Sequence, residues 1–122
     1  MNTLPKSERL HGKAAVSALM SKGRWGFTQG LKYCYLQNPP AEEGPASNRM
    51  MVSVPKRLFK RAVRRNLLKR RIRESYRTLK HLLPQSGTDI LFLYISREVL
   101  EYKDINGQVE SILKTIGDEG QL

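Results

Sequence analysis

Between Asp89 and Ser96 the chain is apolar at nearly every position. At the period of two that a β-strand imposes, Ile90, Phe92 and Tyr94 fall on one face and Leu91, Leu93 and Ile95 on the other. A strand that is apolar on both faces needs cover on both, which is the position of a central strand in a sheet packed with helices. Any fold for this chain must supply other strands to pair with this one and helices to lie over it.

The remaining sequence offers them. Gly12 to Met20 reads as a helix, with Ala15 and Leu19, and Val16 and Met20, spaced i,i+4. Gly23 is a stop signal, and Leu10 is expected to pack just ahead. Phe27 to Gln37 reads as a strand, with Leu31, Tyr33 and Tyr35 on one face and Lys32, Cys34 and Leu36 on the other; a turn within it would add a further strand. Asn38 to Asn48 holds Pro39, Pro40, Gly44 and Pro45 and reads as a loop. Arg49 to Val54 reads as another strand, ended by Pro55, which has no N–H to give to a ladder.

From Ala62 the pattern turns helical. Leu68, Ile72, Tyr76, Leu79 and Leu83 step by four, four, three and four and form one apolar stripe, stopped by Pro84 and Gly87. Leu58 and Phe59 precede the regular pattern and read as a turn. The last helix is expected to start near Asp104, a good N-cap residue, to bury Ile105, Val109, Ile112 and Ile116, and to end at Gly117, with Asp118 to Leu122 fraying. The order α-β-β-α-β-α over 122 residues predicts a single α+β domain, a two-layer α/β sandwich with helices packed on a small sheet.

Function is announced by charge. Twelve of the 22 Lys and Arg residues lie between Lys56 and His81 with one acid, Glu74, so this stretch carries the whole net charge of +11; outside it ten basic and ten acidic residues cancel. On the helix, Arg65 with Lys69 and Lys69 with Arg73 are like charges at i,i+4, which cost a few tenths of a kcal/mol each. Ordinary surface helices mix both signs, so helix stability does not account for the pattern, whereas a polyanion does. The guanidinium of Arg grips a phosphate through two hydrogen bonds. Membrane adsorption would need the apolar stripe free to enter lipid, and the core requires it. Reading of duplex DNA bases would need more short polar side chains than Asn66, and no preceding helix and turn mark a helix-turn-helix. Folded RNA, read by shape and phosphate, suits the composition best.

Other classes find little support. No apolar run approaches the ~20 residues that span a bilayer, and Met1 to Lys13 shows no signal peptide. Cys34 is the sole cysteine, which excludes an internal disulfide and suits a reducing cytoplasm. His11 and His81 lack partners at metal-ligand spacing. Glu42 and Glu43, in the Pro-rich segment, and Asp118 and Glu119, near the end, read as solvating charges, so no catalytic residue and no metal ligand is expected in the protein.

Val54-Pro55-Lys56-Arg57, followed by Ala62-Val63-x-Arg65-Asn66-x-x-Lys69-Arg70-x-x-Arg73-Glu74-x-Tyr76-Arg77, resembles the signature segment of the bacterial ribonuclease P protein component. Leu4, Lys6-Ser7-Glu8-Arg9-Leu10, the short helix and Lys22-Gly23 resemble the start of that family, so the likeness covers nearly the whole chain. It implies a four-stranded sheet with a left-handed β-α-β crossover, like one domain of ribosomal protein S5. It also implies a job: joining a catalytic RNA that removes the 5′ leader from precursor tRNA, with Mg²⁺ held mainly by the RNA. The partners so implied are the catalytic RNA and precursor tRNA, with no membrane and no obligate protein partner, in the cytoplasm.

By position in the motif, Arg65, Asn66, Lys69, Arg70 and Arg73 correspond to RNA-binding residues. Lys56 and Arg57 match the strand-end pair, and Arg64 and Arg77 extend the basic surface. Leu67 stands where the family often has Arg, and Leu58-Phe59-Lys60-Arg61 replaces a glycine-containing turn. The family holds the leader in a cleft between the sheet and the first helix, and stacking on aromatics binds single strands. Met20, Tyr33 and Tyr35 are the leader-binding residues expected here. Trp25 fits either a cap on the core or an RNA contact. A ribosomal or ribosome-assembly protein that binds RNA without cleavage shares the same electrostatics and is the alternative.

Overall fold

The computed structural model describes residues 8–10, 12–37, 48–84 and 87–120, of which 119 and 120 by backbone alone. The expectations for Leu4, Lys6, Ser7, His11, the acids Glu42 and Glu43 of the Pro-rich loop, and the last two residues lie outside the described residues.

In chain order the elements are α1 (Lys13–Lys22), β1 (Arg24–Phe27), β2 (Leu31–Gln37), β3 (Arg49–Ser53), α2 (Ala62–Leu79) with a 3₁₀ turn at Lys80–Leu82, β4 (Thr88–Tyr94) and α3 (Tyr102–Gly120). The sheet order is β1-β2-β4-β3. β1 with β2 and β2 with β4 are antiparallel, whereas β3 and β4 are parallel neighbours joined through α2. The doubly apolar segment is thus an inner strand, as its pattern demands.

The expected Phe27–Gln37 strand is broken by a turn after Phe27: Leu31–Gln37 remains one strand, and the further strand lies mostly ahead of the expected span. Arg24–Phe27 pairs back on Lys32–Tyr35. The turn between them closes through the Thr28 N–H donating to the Leu31 carbonyl at 2.7 Å. Gln108 of α3 clamps it, its side-chain oxygen accepting from the Thr28 hydroxyl at 2.6 Å and the Gly30 N–H at 2.7 Å. The last helix also departs from expectation, running from Tyr102 through Gly117 to Gly120. A Cβ at Gly117 would lie 3.1 Å from the Leu82 carbonyl oxygen. That glycine serves close packing against the end of the basic helix, not termination.

The two sheet faces are covered unequally. On one, Leu31, Tyr33, Tyr35, Met50, Ile90, Phe92 and Tyr94 meet α2 and α3 in the main core. On the other, α1 lays Leu19 over Cys34, Leu91 and Leu10 in a smaller cluster. At its C-terminal end α1 comes so close to β2 that a Cβ on Gly23 would meet the Cys34 sulfur at 2.5 Å and the Tyr35 carbonyl oxygen at 3.0 Å. A ten-residue helix is about 15 Å long, too short to cover the sheet. Leu91 is buried, Leu93 half-buried and Ile95 exposed. The second apolar face of β4 is therefore covered at one end and open at the other.

Candidate nucleic-acid interface

The basic helix is held by its stripe. Leu68, Ile72 and Tyr76 are fully buried, and Leu79 and Leu83 continue the contact. Burying each such side chain is worth about 1.5–3 kcal/mol, against roughly 0.2–0.5 kcal/mol for each like-charge pair at i,i+4. Burial wins, and the charges are carried on a rigid element. Opposite the stripe, Asn66, Arg70, Arg73 and Arg77 step by four, three and four and share the outward face. Lys69 flanks it on one side and Leu67, with Arg71 and Arg64 beyond, on the other, while Arg65 falls on the stripe side at the start of the helix.

The cations, with Asn66 beside them, divide into two groups. Among the described residues, Lys56, Arg57, Arg64, Asn66, Lys69, Arg70 and Arg73 make no side-chain hydrogen bond or ion pair within the protein, and all but the half-buried Lys69 are exposed. Others are engaged internally. Arg65 donates from Nη1 to the carbonyls of Phe59 and Lys60, both at 2.8 Å. Arg71 donates to the Leu100 carbonyl at 2.5 Å. Arg77 pairs with Glu74 through Nη2 at 2.5 Å and Nε at 3.1 Å. That pairing holds the Glu74 carboxyl below its usual range and pushes the Arg77 guanidinium up. Lys80 pairs with Glu8 at 2.8 Å, tying the start of the chain to the end of the basic helix. Leu67 lies between the outward face and Arg71, so the departure from the motif puts a half-buried apolar side chain beside the cations.

Pro55 to Arg61 forms the expected turn. Leu58 and Phe59 donate their N–H groups to the Pro55 carbonyl at 3.1 and 3.4 Å, and the Phe59 ring is buried edge-on against Tyr94, 5.8 Å between centroids. Lys56, Arg57, Lys60 and Arg61 all stand exposed on it. They sit beside the first turn of α2, which has no acid and no side-chain cap, so the positive end of the helix dipole adds to theirs.

The expected aromatic surface needs correction. Tyr33 and Tyr35 are buried in the main core, stacked on each other at 6.4 Å, on the sheet face away from α1. They do not floor a cleft with Met20. Alternation puts the neighbouring set on the α1 side: Trp25 opposite Cys34, and Phe27 opposite Lys32. Trp25 is 43% and Phe27 78% exposed, and Lys32 Nζ lies 4.9 Å from the Trp25 ring centroid. With the half-buried Leu93 and exposed Ile95 they make the open half of that face. Met20 of α1 is exposed on the same side of the sheet, lining a shallow depression with Val16 and Lys13. The sequence leaves Trp25 between core and RNA and does not single out Phe27, because a period of two defines two faces without saying which one a short helix will cover. The signal that bears on it is Gly23, where only a glycine lets α1 approach Cys34.

Among the described residues, no three His, Cys, Asp or Glu side chains gather into a group that could hold a metal ion, and no helix is long and apolar enough to cross a membrane.

Residues 4–117 match the family model described as Ribonuclease P. The chain belongs to the ribonuclease P protein family. It is 32% identical to the ribonuclease P protein component of Porphyromonas gingivalis over an alignment of 122 residues, which covers 94% of this chain and 88% of that protein. It is 40% identical to that of Chlorobaculum tepidum over 89 residues, 70% of this chain and 56% of the relative. The RNase P protein of Staphylococcus aureus superposes with a TM-score of 0.75 at 24% identity, covering 91% of this chain and 96% of that one, a likeness of fold. The Arg65-Asn66 helix lies within the stretch that the family model matches.

Proposed function

We propose that this chain binds the catalytic RNA of ribonuclease P and, with it, precursor tRNA, so that the RNA removes the 5′ leader. The observation that carries the reading is the division on α2: an apolar stripe buried in the core, and cations without internal partners turned outward and along the adjoining turn. Asn66, Arg70 and Arg73, with Arg64 and Lys69 beside them and Lys56 and Arg57 on the turn, meet phosphates of the RNA. Arg65 and Arg77 contribute from positions where they are also held by the protein itself. Each phosphate neutralised releases counterions, so affinity falls steeply with salt.

The leader lies on the open half of the sheet face beside α1. Phe27 and Trp25 offer π-faces, and Lys32 offers a charge to the backbone of a single strand, with Met20 at the margin. The role sought in Tyr33 and Tyr35 passes to this set. Mg²⁺ belongs to the RNA in this reading: it supplies the chemistry of hydrolysis, while the protein's cations lower repulsion between the two RNAs. The site of action is the cytoplasm. Reconstitution tests the whole: with the cognate catalytic RNA at low Mg²⁺, the protein is expected to raise the rate of precursor tRNA cleavage, and no gain over RNA alone would refute it.

A further inference from the structure

Arg65 stands in the RNA-binding motif, yet its guanidinium is turned back onto the chain. One nitrogen, Nη1, bridges two successive carbonyls, those of Phe59 and Lys60, each at 2.8 Å. What it holds is the turn from Pro55 to Arg61, whose other ties are the packing of Leu58 and Phe59 against the core and two backbone bonds. The turn contains no glycine and carries four cations that repel one another, Lys56, Arg57, Lys60 and Arg61. Its internal backbone bonds are the two made to the Pro55 carbonyl, at 3.1 and 3.4 Å. Phe59 anchors it from below through the core contact with Tyr94. Arg65 closes it from above, across the start of α2.

We infer that Arg65 is a positioning residue: it holds the Pro55–Arg61 turn in the shape that presents Lys56 and Arg57 to RNA, and its own contribution to affinity passes largely through that turn. This rests on the reading above, that the turn meets RNA. The geometry favours Arg over Lys. Nη1 sits at the far end of the longer side chain, and a lysine ammonium is shorter in reach and more strongly hydrated. A residue acting by charge alone would tolerate the exchange; one whose donor must reach both carbonyls would not.

The test uses the full chain and its cognate catalytic RNA, comparing wild type with Arg65→Ala, Arg65→Lys, the pair Lys56→Ala/Arg57→Ala, and the triple Ala variant. Amide hydrogen exchange of Leu58 and Phe59 is read in the protein without RNA. Both Arg65 variants are expected to speed that exchange, by about tenfold or more as the turn opens locally. Arg65→Ala is expected to weaken RNA binding about tenfold in the wild-type background and less than about threefold when Lys56 and Arg57 are already gone, because coupled residues are not additive. Arg65→Lys should bind nearly as poorly as Arg65→Ala. An undiminished loss in the Lys56/Arg57 background, unchanged exchange, or full binding by Arg65→Lys would each make Arg65 an independent phosphate contact and overturn the inference, with the interface reading intact. Wild-type affinity of the Lys56/Arg57 variant would instead remove the turn from the interface, and the inference with it.

Discussion

Arg49 and Asp89 face each other across the parallel strands β3 and β4, and both carboxylate oxygens of Asp89 accept from the Arg49 guanidinium at 2.8 Å. Asp89 is 1% exposed and Arg49 33%. Removing the carboxylate leaves a guanidinium that can rehydrate only in part, so Asp89→Ala is expected to cost about 2–3 kcal/mol, somewhat below the loss for a fully buried pair; urea unfolding measures it. Neither partner is legible in the sequence, where Arg49 and Asp89 lie forty residues apart and read as strand-end charges. Buried acids titrating upward give a second expectation. Burial raises the Cys34 thiol from its ordinary 9.0 to about 11, and burial likewise raises the hydroxyls of Tyr94 and Tyr76. Each group loses its proton more readily in the unfolded chain. The stability these groups hold is therefore complete below about pH 9 and is lost as pH rises toward 11 and beyond. The urea midpoint should fall across that window, and Cys34→Ala should flatten the fall. An equal fall in the variant would mean that the thiol takes no part.

At the level of the element, α2 separates stability from binding along its circumference. Ile72 is fully buried, and Ile72→Ala is expected to cost about 2–5 kcal/mol through lost contact and the cavity left behind. Arg73 points outward without an internal partner, one helical turn from Lys69. Arg73→Ala removes a like-charge neighbour and is expected to leave thermal stability unchanged or slightly raised. It should nevertheless flatten the dependence of RNA affinity on salt by about one phosphate. A fall in melting temperature without a change in salt slope would place Arg73 in the fold rather than the interface. The stripe was readable because a period of 3.6 is written into the spacing of Leu68, Ile72 and Tyr76. The fate of individual cations was not. Arg70 and Arg71 are neighbours of one type, but one faces solvent and the other reaches the Leu100 carbonyl, and that difference depends on where a distant loop returns.

Across the molecule, the sheet divides the labour between its faces, and here sequence and structure part company most. Apart from β1 and the length of α3, the order of elements and the inner place of β4 follow from apolar periodicity, and the charge on α2 from composition. Which face of β2 receives two helices and which receives one short helix depends on helix lengths and on the Gly23 approach, neither of which alternation encodes. The consequence is testable. Tyr35 is 5% exposed and lies with Tyr33 among the residues packed by α2 and α3, so Tyr35→Ala is expected to lower stability by about 3–5 kcal/mol. Any loss of RNA affinity at a temperature where it stays folded should be alike for precursor and mature tRNA. Phe27 is 78% exposed on the opposite face, and Phe27→Ala should change stability by less than about 0.5 kcal/mol. If a leader base stacks there, the loss is about 1–3 kcal/mol, or roughly 5- to 150-fold in affinity for precursor tRNA by the holoenzyme. Mature tRNA, which has no leader to stack, should bind as before. Equal losses for the two RNAs on Phe27→Ala, or a precursor-specific loss on Tyr35→Ala, would return the leader to the other face of the sheet, and α1 would then have no part in holding it.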